Sequence, residues 1–196
     1  MNTNQTSLLS FILDVFPMPH QHAETIVGYF ETKELTKNEF VFAAGKVCKE
    51  YHFLEEGFIR SFIYDFDGND VTTGFYSSNR VVCDIFSFFK HVPSKENFQA
   101  LTRCKTLFIT FDKLQGVFHS MPEFREFGRS ILVNAYAELK TRMLSMLQDT
   151  GEDRYRKLLS SNPDIFQNAP LKNIASYLGV TDTSLSRIRK EVSKNI

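Results

Sequence analysis

The apolar positions of this chain change period twice. Between Ser7 and Val15, and again between Glu24 and Phe30, they recur at helical spacing, with Pro17 and Pro19 breaking the chain between. After Thr36 they form short runs rich in β-branched and aromatic residues: Phe40–Phe42, Tyr51–Leu54, Phe58–Tyr64, Val71–Tyr76, Val81–Val82 and Phe98–Leu101. Turn signals at Ala44-Gly45-Lys46, Glu56-Gly57, Asp67-Gly68-Asn69 and Ser77-Ser78-Asn79 separate the runs, and Asp-Gly between two of them signals a hairpin. Short strands at this spacing predict a double-stranded, jelly-roll-like β-roll over residues 37–112. From Met121 to Gln148 the helical period returns, through Phe124, Phe127, Ile131, Ala135, Leu139, Met143 and Met146 or Leu147, with no proline after Pro122. One long amphipathic helix follows. A stripe that long needs a partner surface, either its own β-roll or the same helix of a second copy. Gly151-Glu152-Asp153 reads as a hinge, with a short helix through Leu158-Leu159 and a turn at Asn162-Pro163-Asp164 behind it.

The segment from Leu171 to Lys190 reads as two short helices around a turn. Ile174, Ala175 and Leu178 hold helical spacing, Gly179 can take the positive φ that closes the first helix, and Thr181 can cap the second. In the second helix Leu185, Ile188 and Val192 fall at steps of three and four, which leaves Asp182, Thr183, Ser186, Arg187, Arg189 and Lys190 largely on other faces. A turn of only Gly179-Val180-Thr181 and the small Ala175 suit a helix-turn-helix that reads DNA. From Leu171 to Ile196 five cations stand against Asp182 and Glu191, a balance that suits phosphate contact. An apolar stripe opposite basic residues also describes an ordinary surface helix of a bundle.

Composition narrows the partners. With 23 basic and 23 acidic side chains the chain is neutral, so contact with nucleic acid has to be local to one module. The 20 phenylalanines lie mostly before position 130 and predict a bulky aromatic core there. Cys48, Cys83 and Cys104 are widely spaced, without a C-x-x-C pair, which argues for a reducing compartment and against disulfides or a zinc finger. The start, Met1-Asn2-Thr3-Asn4-Gln5-Thr6-Ser7, lacks the regions of a signal peptide, and no apolar run reaches spanning length, so a soluble cytoplasmic protein without membrane contact is expected. His20 and His22 lack partner ligands at metal spacing, and no metal is assigned. No G-x-S-x-G, P-loop, H-E-x-x-H or dinucleotide fingerprint occurs, and Asp65, Asp67 and Asp70 around Gly68 are explained by turn chemistry; no catalytic residue and no enzyme activity are expected.

In its order of β-roll, long helix, hinge and helix-turn-helix, the chain resembles the Crp/Fnr family of bacterial transcription regulators over nearly its whole length. Tyr51–Arg60 is similar to the family's strand-turn-strand signature, and Ile174–Arg189 to its helix-turn-helix. The resemblance implies an α+β fold and a homodimer whose N-terminal domain senses a signal. It implies C-terminal helices that enter successive major grooves of a near-palindromic operator in double-stranded DNA, with RNA polymerase as a further partner. Divided accordingly, residues 1–120 are the sensor with its N-terminal helices, 121–150 the dimerisation helix and hinge, and 151–196 the DNA-binding domain. Arg187 matches the family's base-reading arginine and could fork to a guanine edge, while Asp182 could accept from a cytosine amine. Thr181, Thr183, Ser184 and Ser186 are candidates for bases or phosphates, and Arg189 and Lys190 for phosphates.

The departures from the family matter as much. Its phosphate-binding cassette supplies a Gly-Glu pair and an Arg followed by Ser or Thr; this chain offers Cys83-Asp84 and Ser94-Lys95 instead. A cysteine side chain blocks close backbone approach, Asp is one methylene short, and Lys lacks the bidentate fork. An effector other than cyclic AMP, of unknown identity, is expected for a candidate pocket of Arg80, Cys83, Asp84, Ser94 and Lys95. Arg80 or Lys95 could hold another anion, or Lys95 could simply be solvated. No cysteine cluster precedes Cys48 for an iron–sulfur centre, nothing singles out a haem ligand among the histidines, and no cofactor is assigned. The family's β-hairpin wing is expected to be missing, since the chain stops at Ile196. The rival reading is a β-roll that binds a signal or a protein partner and has lost DNA binding.

Overall fold

The structure is a computed structural model and describes residues 6–194. Most of the segment examined for a signal peptide, Met1–Gln5, and Asn195–Ile196, where the wing would begin, lie outside the described residues. Helices α1 (Thr6–Val15) and α2 (His20–Val27) come first. The second starts four residues earlier than the apolar pattern suggests and stops at Val27: Pro19 fixes the extended entry, and Ala23, Ile26 and Val27 are the buried face.

Eight strands follow: β1 (Glu31–Leu35), β2 (Phe40–Phe42), β3 (Glu50–Glu56), β4 (Ile59–Tyr64), β5 (Asp70–Tyr76), β6 (Arg80–Val82), β7 (Asn97–Ala100) and β8 (Cys104–Thr110). They form two antiparallel four-stranded sheets ordered β1-β8-β3-β6 and β2-β7-β4-β5, so the roll starts at Glu31 rather than residue 37. Strand β1 escaped the pattern because it is an edge strand with only Leu35 fully buried. The Asp67-Gly68 turn closes the β4–β5 hairpin as expected, with the Asp65 carboxylate accepting from the Asp67 and Asn69 amides. Between β3 and β4 Gly57 takes φ +103°, and a Cβ there would lie 2.5 Å from the Arg103 carbonyl oxygen.

Two short helices were not legible from periodicity. α3 (Ile85–Lys90) lies between β6 and β7 and is capped by the Asp84 carboxylate, which accepts from the Ser87 amide at 3.0 Å. α4 (Phe111–Ser120) follows β8 and buries Leu114 and Val117. Leu35, Leu54, Ile59, Val82, Phe98, Ala100 and Cys104 fill the space between the sheets. The outer face of the first sheet is covered as well: Phe53, Leu107 and Ile109 pack with Leu8 and Ile12 of α1, Ile26 of α2 and Leu114 of α4. A sheet buried on both faces has no clean alternation to read.

The long helix is α5 (Pro122–Gln148), with proline in its first turn. Its fully buried residues, Phe124 and Phe127, both lie near its start. It ends at Gln148, and Thr150 caps α6 (Gly151–Ser161) through a capping box with Asp153. The break in the helix is therefore Asp149–Thr150, and the expected hinge Gly151-Glu152-Asp153 is the first turn of α6. α7 (Ile165–Asn168), α8 (Leu171–Leu178) and α9 (Asp182–Val192) complete the described fold.

Candidate nucleic-acid interface and effector cleft

Helices α8 and α9 are joined by Gly179-Val180-Thr181, as the sequence suggests. Gly179 takes φ +65° at the end of α8, and its amide bonds the Ser176 carbonyl at 3.1 Å. The Thr181 hydroxyl accepts from the Ser184 amide at 3.2 Å and caps α9. Ile174, Ala175 and Leu178 of α8 bury against Leu185 and Val192 of α9 and Tyr155 and Leu158 of α6. This trihelical core holds α9 on one side only.

The other side of α9 is open. Thr181, Asp182, Thr183, Ser186, Arg187, Arg189 and Lys190 are exposed and Ser184 is half-buried. Thr183, Ser186, Arg187 and Lys190 stand at i, i+3, i+4 and i+7, so they share the face opposite Leu185 and Ile188. The Ser186 hydroxyl donates back to the Asp182 carbonyl at 2.9 Å, which ties it to its own helix. Among the described residues Arg187, Arg189 and Lys190 enter no ion pair, whereas Arg156 and Lys157 of α6 are paired with Glu152 and Asp149. Exposed, unpaired cations can give up solvating water and counterions to phosphates without first breaking an internal bridge.

The helix-turn-helix also rests on the roll. The Ser176 hydroxyl accepts from the Thr72 amide of edge strand β5 at 3.1 Å, and the Phe75 and Tyr177 rings lie 5.1 Å apart. Phe58 and Leu101 join the apolar cluster beneath α8. Arg142 of α5 closes the corner. It donates to the Thr73 carbonyl of β5 and, at 3.3 Å, to the Tyr177 carbonyl of α8, and its guanidinium lies 4.1 Å from the centre of the Tyr177 ring.

A cleft of about 650 Å³ opens between the roll, α5 and this corner, within the size range of small-molecule sites. Phe58, Phe75, Tyr76, Cys83, Ile131 and Tyr177 are among its walls. Arg80, a candidate effector residue, lines it and pairs with Glu138 of α5 at 2.8 Å; Cys83 lines it too. Its thiol lies 3.9 Å from that of Cys48, and burial raises its pKa. The other three candidates are placed elsewhere. Asp84 is committed to capping α3, Ser94 is buried in a turn where its hydroxyl accepts from the Glu96 amide, and Lys95 is exposed and lines no part of the cleft. The residues that sequence reasoning missed are Thr73, Arg142 and Tyr177. One signal existed: Arg142 is a cation on the helical stripe of Ala135, Leu139 and Met146.

Beyond Ile131 the chain leaves α5 largely uncovered. Leu132, Tyr136, Leu139, Met143 and Leu147 are all exposed, and their steps of four, three, four and four give a seam close to a heptad. No helix among the described residues is long and apolar enough to cross a membrane, and no group of three or more metal-ligating side chains forms among them. His20 and His22 each face a glutamate, Glu24 and Glu123.

Residues 32–120 match the cyclic nucleotide-binding domain family. Electron transport regulator A of Shewanella oneidensis is 24% identical over 176 residues, covering 83% of this chain and 69% of that protein. Among solved structures, FixK2 from Bradyrhizobium japonicum superposes with a TM-score of 0.73 at 13% identity, covering 85% of each chain. The c-di-GMP-responsive global regulator CLP of Xanthomonas campestris gives 0.70 at 15%, covering 90% of this chain and 93% of that one. With a cyclic nucleotide-binding domain at residues 32–120 and the long helix and helix-turn-helix behind it, the chain is similar in sequence and fold to regulators of the Crp/Fnr type.

Proposed function

We propose that the protein is a dimeric, sequence-specific DNA-binding transcription regulator. The observation that carries this reading is the outward face of α9, where Thr183, Ser186, Arg187 and Lys190 stand together, exposed, over a rigid helix-turn-helix core. On this reading Arg187 reads a base edge, with Asp182, Thr183 and Ser186 beside it. Arg189, Lys190, Thr181 and Ser184 position the helix on phosphates. Residues 1–120 sense, 121–150 join two copies along the exposed α5 seam, and 151–196 bind a near-palindromic operator in the cytoplasm, where RNA polymerase is also met. Arg80 and Cys83 belong to the effector cleft. The Cys83-Asp84 and Ser94-Lys95 positions lack what a cyclic phosphate needs, so cyclic AMP is not the effector.

The test is selection of binding sites from a random duplex library at stated, near-physiological salt, followed by Arg187→Ala. Recovery of a two-fold symmetric site, weakened by about 1–3 kcal/mol in the variant while non-specific binding barely changes, is the expected result. No recovered motif from folded protein, or indifference to the change, overturns the reading in favour of a β-roll interaction module.

A further inference from the structure

Two arginines line the cleft, Arg80 and Arg142, and their guanidinium groups are committed differently. Arg80 is paired with Glu138. Arg142, which lines the cleft, bonds no carboxylate. Of its five N–H donors, the two hydrogen bonds it makes go to neutral carbonyls, Thr73 and Tyr177. The Glu96 carboxylate feels its charge but forms no ion pair with it, accepts from the Thr73 hydroxyl, and has its pKa raised, chiefly by burial. Glu138 and Asp164 also line the cleft; the first is held by Arg80, and the second is exposed and makes no ion pair among the described residues.

Beside this half-used fork stand flat apolar walls: Phe58, Phe75, Tyr177 and Ile131. A guanidinium prefers an anion to a neutral carbonyl, because a carboxylate or phosphate adds full charge attraction and can accept from both prongs of the fork at once. We propose that the cleft takes a small organic anion, a carboxylate or phosphate on a flat apolar body, whose charged end is held by Arg142. Taking up the anion withdraws the guanidinium from the Tyr177 carbonyl and loosens α8 from β5. This rests on the cleft being the effector site, and it places the anion anchor on α5 rather than at the Ser94-Lys95 turn.

Calorimetric titration of the full chain with phenylacetate, phenyl phosphate and neutral phenylacetamide tests it. The anions are expected to bind one per chain, about ten- to hundredfold tighter than the amide, the tighter of the two identifying the charged group. Arg142→Gln should bring both down to the amide's level, and Arg142→Lys, which keeps the charge without the fork and serves as the folded control, should fall between. Hydrogen exchange at the Thr72 amide, bonded to Ser176, should quicken on saturation with the tighter anion. Equal binding of anion and amide, no binding of any probe, or Arg142→Gln affinity unchanged overturns the site; unchanged exchange at Thr72 overturns the loosening. None of these readouts involves DNA, so the proposal and the regulator reading fail separately.

Discussion

Replacing Met143 by Asp isolates the seam of α5 from everything else the helix does. Met143 is 44% exposed in the single chain, lines no part of the cleft and belongs to none of the buried clusters. The protomer therefore loses little. Complete burial of a methionine side chain contributes about 1.5–3 kcal/mol, so covering the remaining exposed fraction contributes about 0.7–1.3 kcal/mol. In a two-fold pair of parallel helices each Met143 meets its own copy, and the loss counts twice, about 1.5–2.5 kcal/mol. At about 1.4 kcal/mol per tenfold, the dimer dissociation constant should rise about ten- to sixtyfold, and further through two facing carboxylates.

Sedimentation equilibrium over a wide concentration range reads that constant directly, and thermal melting of the dilute protein reports the protomer. Thr141→Asp, exposed on the opposite side of the same helix, is the matched control and should leave the constant unchanged. An unchanged constant in Met143→Asp refutes the seam, as does a wild-type chain that is monomeric throughout. A variant that unfolds instead of dissociating refutes the claim that this half of α5 contributes little to its own chain.

Other expectations follow from single residues. Gly57→Ala should cost about 2–4 kcal/mol in denaturant unfolding, because the added carbon meets backbone, the Arg103 carbonyl, at a φ that L residues avoid; a near-neutral effect would refute that geometry. Thr181→Ala should cost about 1 kcal/mol by loss of the α9 cap and weaken DNA binding with it, whereas Thr181→Ser should not. Fully buried His52 donates to Glu50 and accepts from Thr106, and burial holds its pKa below the ordinary imidazole value. Its unfolded form takes up a proton near pH 6.5, so its contribution is full above that and is lost as pH falls through the folded value. Glu50, held down to about 2 chiefly by the His52 hydrogen bond, adds a second loss as pH falls from the ordinary glutamate range. Denaturant midpoints taken from about pH 8 to about pH 4 should fall, and His52→Gln should remove the part that begins near neutrality; an unaltered profile refutes the assignment.

The parts of the fold legible in the sequence are those whose local chemistry and tertiary environment agree. Gly179 and Thr181 form the turn that their residue types suggest, Asp67-Gly68 closes its hairpin, and the stripe from Phe124 to Leu147 is one helix. Strand β1 was illegible because an edge strand with one buried residue has no pattern to show. The short α3 depends on a cap, Asp84, at a position where the family resemblance points to a ligand contact. The cleft is the clearest limit. Arg80 and Cys83 reach it from the roll, but Arg142 comes from α5 and Tyr177 from α8, and only the folded chain brings residues that far apart in sequence to one corner.

Two faces of α5 therefore sit side by side, one in the cleft and one exposed. Ile131, Ala135, Glu138 and Arg142 wall the cleft, while Leu132, Tyr136, Met143 and Leu147 lie exposed a step around the helix. The positions alternate so closely that a rotation of α5 by a fraction of a turn moves both faces, and Arg142 moves the contact with α8 as well. A ligand can shift such a system only by its differential affinity for two arrangements, and the proposed anion has one: in the docked arrangement it must compete with the Tyr177 carbonyl for the guanidinium, and in the undocked one it need not. If the seam of the dimer holds the two α5 helices against each other, releasing α8 frees both α9 helices to adjust their spacing without breaking the dimer. Dimer affinity should then be nearly independent of the anion while operator affinity is not, and a dimer constant that moved in step with anion binding would place the coupling in the seam instead.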